Sequence, residues 1–173
     1  VIIIDVLRRA GARVVAASVG GEAGVVTGAR GVQVVSDCEL SSVAGEVFDL
    51  IALPGGMPGA ENLARDRALR GLIRDQLESE RLLGAICASP KIVLEDMAPN
   101  RMLTVYPSFA AQLRNQSHAW SRTVIDGNLV TGQGPGTTFE FALALVEILF
   151  GCEARREVAE PMVLWNFREI CSG

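Results

Sequence analysis

The chain has 173 residues, of which 49% are hydrophobic, and a formal net charge of −4. This length suits one domain with a sizeable core, and the basic residues are scattered arginines rather than a cluster that would bind a phosphate backbone, so nucleic acid is not an expected partner. The apolar runs, such as residues 143–150, are far shorter than a membrane span, and no signal-peptide pattern occurs, so we expect a soluble cytoplasmic protein without a membrane partner.

Apolar periodicity and breaker residues predict helices that alternate with strands. Residues 1–10 carry apolar side chains at helical spacing and precede Gly11, a natural helix end. Asp66 is placed to cap a helix over residues 67–78. Apolar runs predict strands over residues 13–19, 32–35, 49–53, 82–86 and 102–105.

A predicted hairpin and a long helix complete the pattern. Asp126-Gly127 separates two short apolar runs in the manner of a two-residue turn. Thr137 and Glu140 match a capping box that opens a helix running through Leu149. Because strands alternate with helices, we expect an α/β fold with a mostly parallel sheet covered on both faces.

The apolar run 82–86 ends abruptly on a cysteine, Cys87. Ser89 suits an N-cap and Pro90 the first helical position, so Cys87 lies in a short turn between a strand and a helix. This is the context of a nucleophile elbow. Backbone N–H groups at the helix start and Lys91 on the same helix favour the thiolate. The alternative is a small buried core cysteine.

Two glycine-rich loops accompany the elbow at the carboxyl ends of predicted strands, residues 54–60 and 132–137. The loops at this edge of a parallel sheet form the site in such folds. The backbone N–H groups of Gly56 and Ala88 are candidate donors to an oxyanion. The alternative is that these loops are ordinary tight turns.

Scarce residue types restrict the chemistry further. His118, in a polar segment predicted as a loop, is the only histidine, and Lys91 is the only lysine. A multi-histidine metal site and a phosphate-binding loop are thereby excluded. The cysteines are widely spaced, which predicts reduced thiols and no zinc cluster; they are Cys38, Cys87, Cys152 and Cys171. We expect neither a metal nor a cofactor.

Three segments resemble the ThiJ/PfpI superfamily: Leu53-Pro-Gly-Gly56, Ala85-Ile-Cys-Ala88 and the run from Gly134 to Ala142. They are most similar to the branch of the Parkinson-disease-associated protein deglycase, and the likeness spans nearly the whole chain. The resemblance implies a flavodoxin-like three-layer α/β/α sandwich, formed by residues 1–173 as a single domain. It also implies a homodimer and an oxidation-sensitive cysteine, here Cys87.

Two departures from the family pattern affect the site. The family begins with a strand and an acidic residue that contacts the cysteine, and both would precede Val1, so we expect that the given sequence lacks its N-terminal strand. Tyr106 stands where the best-known member has a histidine near the cysteine. His118 aligns with a histidine that lies outside the cysteine pocket.

The resemblance implies a cysteine-dependent, cofactor-independent enzyme of the glyoxalase III (lyase) or protein deglycase (hydrolase) type. It would act on methylglyoxal, related 2-oxoaldehydes or their glycated adducts in oxidative and carbonyl stress. Cys87 would attack the carbonyl, Gly56 and Ala88 would hold its oxygen, and Tyr106 would donate a proton. The rival hypothesis is a non-enzymatic redox sensor or chaperone switched by oxidation of Cys87. A peptidase is a weaker alternative, since only His118 could serve as its imidazole.

Overall fold

A computed structural model describes residues 1–20, 24–114 and 117–164 of the chain. Its helices are α1 (Ile2–Arg9), α2 (Leu40–Val43), α3 (Gly59–Arg65), α4 (Arg67–Glu78), α5 (Ser89–Ile92) and α6 (Thr138–Ala159). Its strands are β1 (Ala17–Ser18), β2 (Val25–Thr27), β3 (Gln33–Val35), β4 (Cys38–Glu39), β5 (Leu50–Leu53), β6 (Leu82–Ile86), β7 (Met102–Leu103), β8 (Ser117–His118), β9 (Thr123–Asp126) and β10 (Leu129–Gly132). Short 3₁₀ helices cover Pro107–Gln112 and Pro135–Thr137.

The main sheet has four strands in the order β5-β6-β10-β9. Strands β5 and β10 run parallel to β6, whereas β9 runs antiparallel to β10 and forms the predicted hairpin with it. Strands β1 and β4 form a parallel pair, as do β7 and β8, and β2 forms an antiparallel hairpin with β3. The predicted α/β class with mostly parallel pairing is therefore confirmed.

Strand β6 lies inside the sheet and supplies side chains to both of its faces. Leu82 and Ile86 pack with α1 and α6 in a core that includes Phe141. Leu83 and Ala85 pack on the opposite face with α4 and with the segment that follows α5. All residues of β6 are buried, as expected for a strand that helices cover on both sides. The three-layer arrangement expected from the sequence is thus confirmed.

Two glycines let α6 approach the sheet closely. A Cβ atom added at Gly84 would lie 2.9 Å from Cζ of Phe141, and one added at Gly132 would lie 3.1 Å from Cβ of Phe141. The Phe141 ring therefore occupies the space of a side chain at Gly84, and Phe141 shares the space at Gly132 with the Ile86 side chain. This packing sets the distance between α6 and the strands that lead into the site.

Helix α4 begins and ends where the sequence predicts. The carboxylate of Asp66 accepts a hydrogen bond from the Leu69 N–H at 2.8 Å, which confirms the predicted N-cap. Near the other end, the buried Gln76 side chain donates to the carbonyl oxygen of Leu82 at 2.8 Å. The helix is thereby joined to the start of β6.

Other predicted elements differ from those in the structure. The strand predicted over residues 13–19 is reduced to β1, and the predicted loop around His118 contains β8, which pairs with β7. The capping box predicted at Thr137 is wrong, because the Thr137 side chain makes no cap hydrogen bond. Its hydroxyl instead accepts from the N–H of Gly134 at 3.1 Å. The extents of β1 and β8 depend on their partner strands β4 and β7, which are distant in sequence.

Helix α6 extends ten residues beyond the Leu149 limit that the sequence predicts, to Ala159. Gly151 interrupts its helical geometry with a φ of 90°, which glycine adopts readily. The largely buried side chains of Glu147 and Arg155 form an ion pair across this break. The pair joins the two parts of the helix.

The outer edge of β5 has no strand partner in the described ranges, because β5 ends the four-stranded order. Strands β1 and β4 form their own pair and are not hydrogen-bonded to it. The expected N-terminal strand and the single-domain boundary at residues 1–173 stay predictions.

The described helices include none with the length and apolar character needed to cross a membrane. Cys38 and Cys87 are free thiols, each half-buried. Cys152 is disulfide-bonded. The expectation of a reduced thiol is therefore wrong for Cys152.

Candidate active site

Cys87 lies between the end of β6 and the start of α5 with a φ of 67°. This left-handed conformation costs about 1–2 kcal/mol for a residue with a Cβ atom, so its surroundings must impose it. The Cys87 N–H donates to the carbonyl oxygen of Gly132 at 2.9 Å, and its carbonyl oxygen accepts from the Tyr106 N–H at 2.9 Å. Two neighbouring segments therefore hold the backbone of the elbow.

The first glycine loop packs directly against the elbow through Gly55. A Cβ atom added at Gly55 would overlap Cβ of Cys87 and lie 2.7 Å from the carbonyl oxygen of Ile86. Gly56 follows with a φ of 92°, and a Cβ atom added there would lie 3.5 Å from Cβ of Ala29. The structure thus brings the loop of Gly56 to the cysteine, with Gly55 as the residue in contact.

Ser89 differs from its prediction as an N-cap. Ala88 occupies the N-cap position, and Ser89 is the first residue of α5. The fully buried Ser89 hydroxyl donates to the carbonyl oxygen of Pro54. Ser89 therefore connects the elbow helix to the first glycine loop, a role that the sequence did not indicate.

Tyr106 joins the second glycine loop to the elbow. Beyond its backbone bond to Cys87, its ring packs on Gly134, where an added Cβ atom would lie 3.2 Å from Cδ2 of Tyr106. The Tyr106 side chain is 43% exposed. Three of the predicted site residues, Cys87, Ala88 and Tyr106, are thus neighbours through the backbone of the elbow.

Lys91 does not act as a free cation beside the thiol. It forms an ion pair with Glu95, four residues later, and both side chains are largely buried. Burial alone would raise the pKa of Glu95, but the hydrogen bonds from Lys91 and from the Arg114 N–H outweigh it and hold this pKa below its usual range. The Lys91 charge is therefore offset locally, which removes one of the two predicted reasons for a stabilised thiolate.

The Glu95 ion pair predicts a pH-dependent stability. Since the folded pKa lies below the unfolded value, the contribution is fully present above about pH 4.5 and is lost as pH falls through the folded pKa. We expect Glu95→Gln to lower the free energy of unfolding by about 1–3 kcal/mol at pH 7, and this difference to shrink as the pH falls below about 4.5. Urea denaturation at several pH values measures this.

Asp126 serves as an internal control when the wild type is compared with Glu95→Gln. The pKa of Asp126 is also lowered, chiefly by the Met102 N–H, but Asp126 is present in both proteins. The difference between the two denaturation series therefore isolates Glu95. A gap that stays constant from pH 7 to pH 3 would contradict the assignment.

His118 lies in β8, where it pairs with Leu103. Its ring meets the Trp120 ring edge-on, with centroids 4.6 Å apart, and its Nε2 atom is buried without a hydrogen-bond partner. None of these contacts involves Cys87, so they give the peptidase alternative no support. The described residues also contain no group of three or more potential metal ligands.

The model of the DJ-1/PfpI family matches residues 1–148. The chain belongs to the DJ-1/PfpI family. Among its DJ-1/PfpI relatives, Drosophila melanogaster protein dj-1beta is 42% identical over 168 residues, which cover 95% of this chain and 89% of the relative. Caenorhabditis elegans glutathione-independent glyoxalase DJR-1.2 is 35% identical over 162 residues, which cover 92% and 86%. Arabidopsis thaliana protein DJ-1 homolog B is 44% identical over 166 residues, but the chain spans only 38% of its length.

Solved DJ-1/PfpI structures share the fold. The crystal structure of Drosophila melanogaster DJ-1beta matches with a TM-score of 0.90 at 40% identity, covering 94% of this chain and 88% of that one. The structure of oxidized Toxoplasma gondii DJ-1 matches with a TM-score of 0.87 at 38% identity, covering 94% and 89%. The flavodoxin-like sandwich implied by the resemblance is thereby confirmed.

Proposed function

We propose that this chain is the catalytic unit of a cysteine-dependent enzyme of the glyoxalase or deglycase type. The observation that carries the proposal is the half-buried thiol of Cys87 on a left-handed elbow, with a glycine loop packed against it. Such a turn presents a side chain to a substrate while the surrounding backbone donors stay available. The C. elegans relative named as a glutathione-independent glyoxalase supports the same chemistry.

The proposed reaction begins when the Cys87 thiolate attacks the aldehyde carbon of a 2-oxoaldehyde. A C–S bond forms, the carbonyl π bond breaks, and the oxygen takes a proton to give a hemithioacetal. The N–H groups of Gly56 and Ala88 hold the oxygen during the attack. A proton then moves from C1 to C2 through an enediol, which gives a 2-hydroxyacyl thioester. Water cleaves the thioester to a 2-hydroxy acid such as lactate and regenerates the thiol.

The proton transfer needs a base and a donor. Tyr106 is our candidate donor, because its backbone is bonded to Cys87 and its side chain remains partly exposed. The resemblance to the family implies that a carboxylate acts as the base. The substrate, water and these groups supply every atom and electron of the reaction, so it requires no oxidant or cofactor.

Turnover tests the proposal. We expect the full-length protein to convert methylglyoxal to lactate without glutathione, at a rate far above that of an equal concentration of a small free thiol. Enzymatic assay of lactate measures the conversion. Turnover no faster than the free-thiol background would contradict the proposal.

A redox sensor or chaperone is the second candidate, and the solved oxidized form of a relative from Toxoplasma gondii favours it. An activated thiol serves either role, so the elbow does not distinguish them. Negligible methylglyoxal turnover together with peroxide oxidation at Cys87 in preference to Cys38 would support the sensor. Peptide mass spectrometry locates the oxidised residue.

We also propose that the chain forms a homodimer and that it acts in the cytoplasm. The β2–β3 hairpin exposes the side chains of Val25 and Val35, which lie opposite each other on its two strands. Adjacent exposed apolar side chains of this kind typically mark an interaction surface. Sedimentation of the wild-type protein and of Val35→Arg checks this, since the charged variant should dissociate.

A further inference from the structure

The loop formed by Pro54, Gly55 and Gly56 is attached to the elbow at two points. Its Gly55 backbone packs on Cβ of Cys87, and its Pro54 carbonyl oxygen accepts a hydrogen bond from the Ser89 hydroxyl. We propose that Gly55 and Ser89 are positioning residues, which hold this loop at a fixed distance from the thiol. The proposal deepens the proposed function and rests on it for its catalytic consequence.

Gly55 is suited to this role by its lack of a side chain rather than by an unusual backbone conformation. The φ of Gly55 is not positive, whereas Gly56 has a φ of 92°. A Cβ atom at Gly55 would overlap Cβ of Cys87 and lie 3.1 Å from the Ala88 nitrogen. Any larger residue must therefore push the loop away from the elbow or displace Cys87 itself.

Ser89 supplies the directional part of the attachment. Its side chain is fully buried, and a buried hydroxyl is costly unless it is hydrogen-bonded. The Pro54 carbonyl oxygen is the acceptor that the structure provides. The bond therefore fixes the carbonyl end of Pro54 relative to α5, immediately before the two glycines.

The consequence for catalysis follows from the order of residues in the loop. Gly56 carries one proposed oxyanion donor, and Ala88, between Cys87 and Ser89, carries the other. A backbone N–H that donates to an oxygen stabilises the transition state more than the bound substrate, because negative charge develops on that oxygen as the thiolate attacks. A loosened loop should therefore lower kcat while leaving KM nearly unchanged.

The test compares Ser89→Ala with Ser18→Ala. Ser18 is also a buried serine whose hydroxyl donates to a backbone carbonyl oxygen, that of Cys38 at 3.2 Å, but it lies in β1. We expect Ser89→Ala to lower kcat for methylglyoxal about tenfold with KM changed less than about twofold. We expect faster amide hydrogen exchange in residues 55–57 of this variant. Ser18→Ala should change neither quantity.

Gly55→Ala is the second variant, with Gly71→Ala as its control, since an added Cβ at Gly71 meets no atom within 4 Å. We expect Gly55→Ala to lower kcat more than Ser89→Ala does, and Gly71→Ala to leave kcat unchanged.

Hydrogen exchange distinguishes a failure of the positioning role from a failure of the proposed function. Absence of turnover in the wild type contradicts the proposed function, whereas unchanged exchange of the loop in Ser89→Ala overturns the positioning role whatever the activity. Equal kcat losses in Ser89→Ala and Ser18→Ala would also overturn it.

Discussion

Phe141→Ala is expected to lower the free energy of unfolding by about 3–5 kcal/mol. The Phe141 side chain is fully buried, and its ring lies against Gly84, where an added Cβ atom would be 2.9 Å from Cζ. Gly84 has no side chain that could move into the cavity, so collapse from the β6 side is restricted. Urea denaturation followed by circular dichroism measures the loss.

Phe150→Ala is the matched control on the same helix. Phe150 is 45% exposed, so its truncation leaves little cavity and should cost less than about 1 kcal/mol. Similar losses in the two variants would contradict the three-layer packing, because that packing assigns Phe141 to the core and Phe150 to the surface.

Cys87→Ser is expected to lower methylglyoxal turnover at least about a hundredfold. A serine hydroxyl has nearly the same size as a thiol but ionises far less readily. The ring of His118, the only histidine in the sequence, packs edge-on against Trp120. No imidazole that would activate the hydroxyl is therefore identified at the elbow. Initial rates of lactate formation measure the effect.

Cys38→Ser is the control, since Cys38 is also a half-buried free thiol but lies in β4. It should retain the wild-type rate. A Cys87→Ser variant that converted methylglyoxal as fast as the wild type would remove the cysteine from the mechanism.

The parts of this site that could be predicted from sequence rest on local signals. The apolar run of β6 followed by Cys87 and Pro90 indicates a strand, a tight turn and a helix start within ten residues. Asp66 predicts the start of α4 for the same reason, because an N-cap bonds its own helix. Such signals require no knowledge of the tertiary structure.

The parts that could not be predicted depend on partners distant in sequence. Ser89 resembles an N-cap locally, yet its hydroxyl bonds to Pro54, 35 residues away. Gly55 and Gly56 look alike in the sequence, and only the packing of the loop on Cys87 distinguishes them. The ion pair of Lys91 with Glu95 is different, because its i,i+4 spacing is a local signal that the sequence offers and that we did not use.

Protection of Cys87 by substrate tests the central claim most directly. The full-length protein is treated with iodoacetamide at increasing methylglyoxal concentrations, and mass spectrometry follows the alkylation of Cys87 and of Cys38 separately. We expect methylglyoxal to slow alkylation of Cys87, with a half-maximal concentration near KM, and to leave alkylation of Cys38 unaffected. Equal slowing at both cysteines, or no slowing at Cys87, would contradict it.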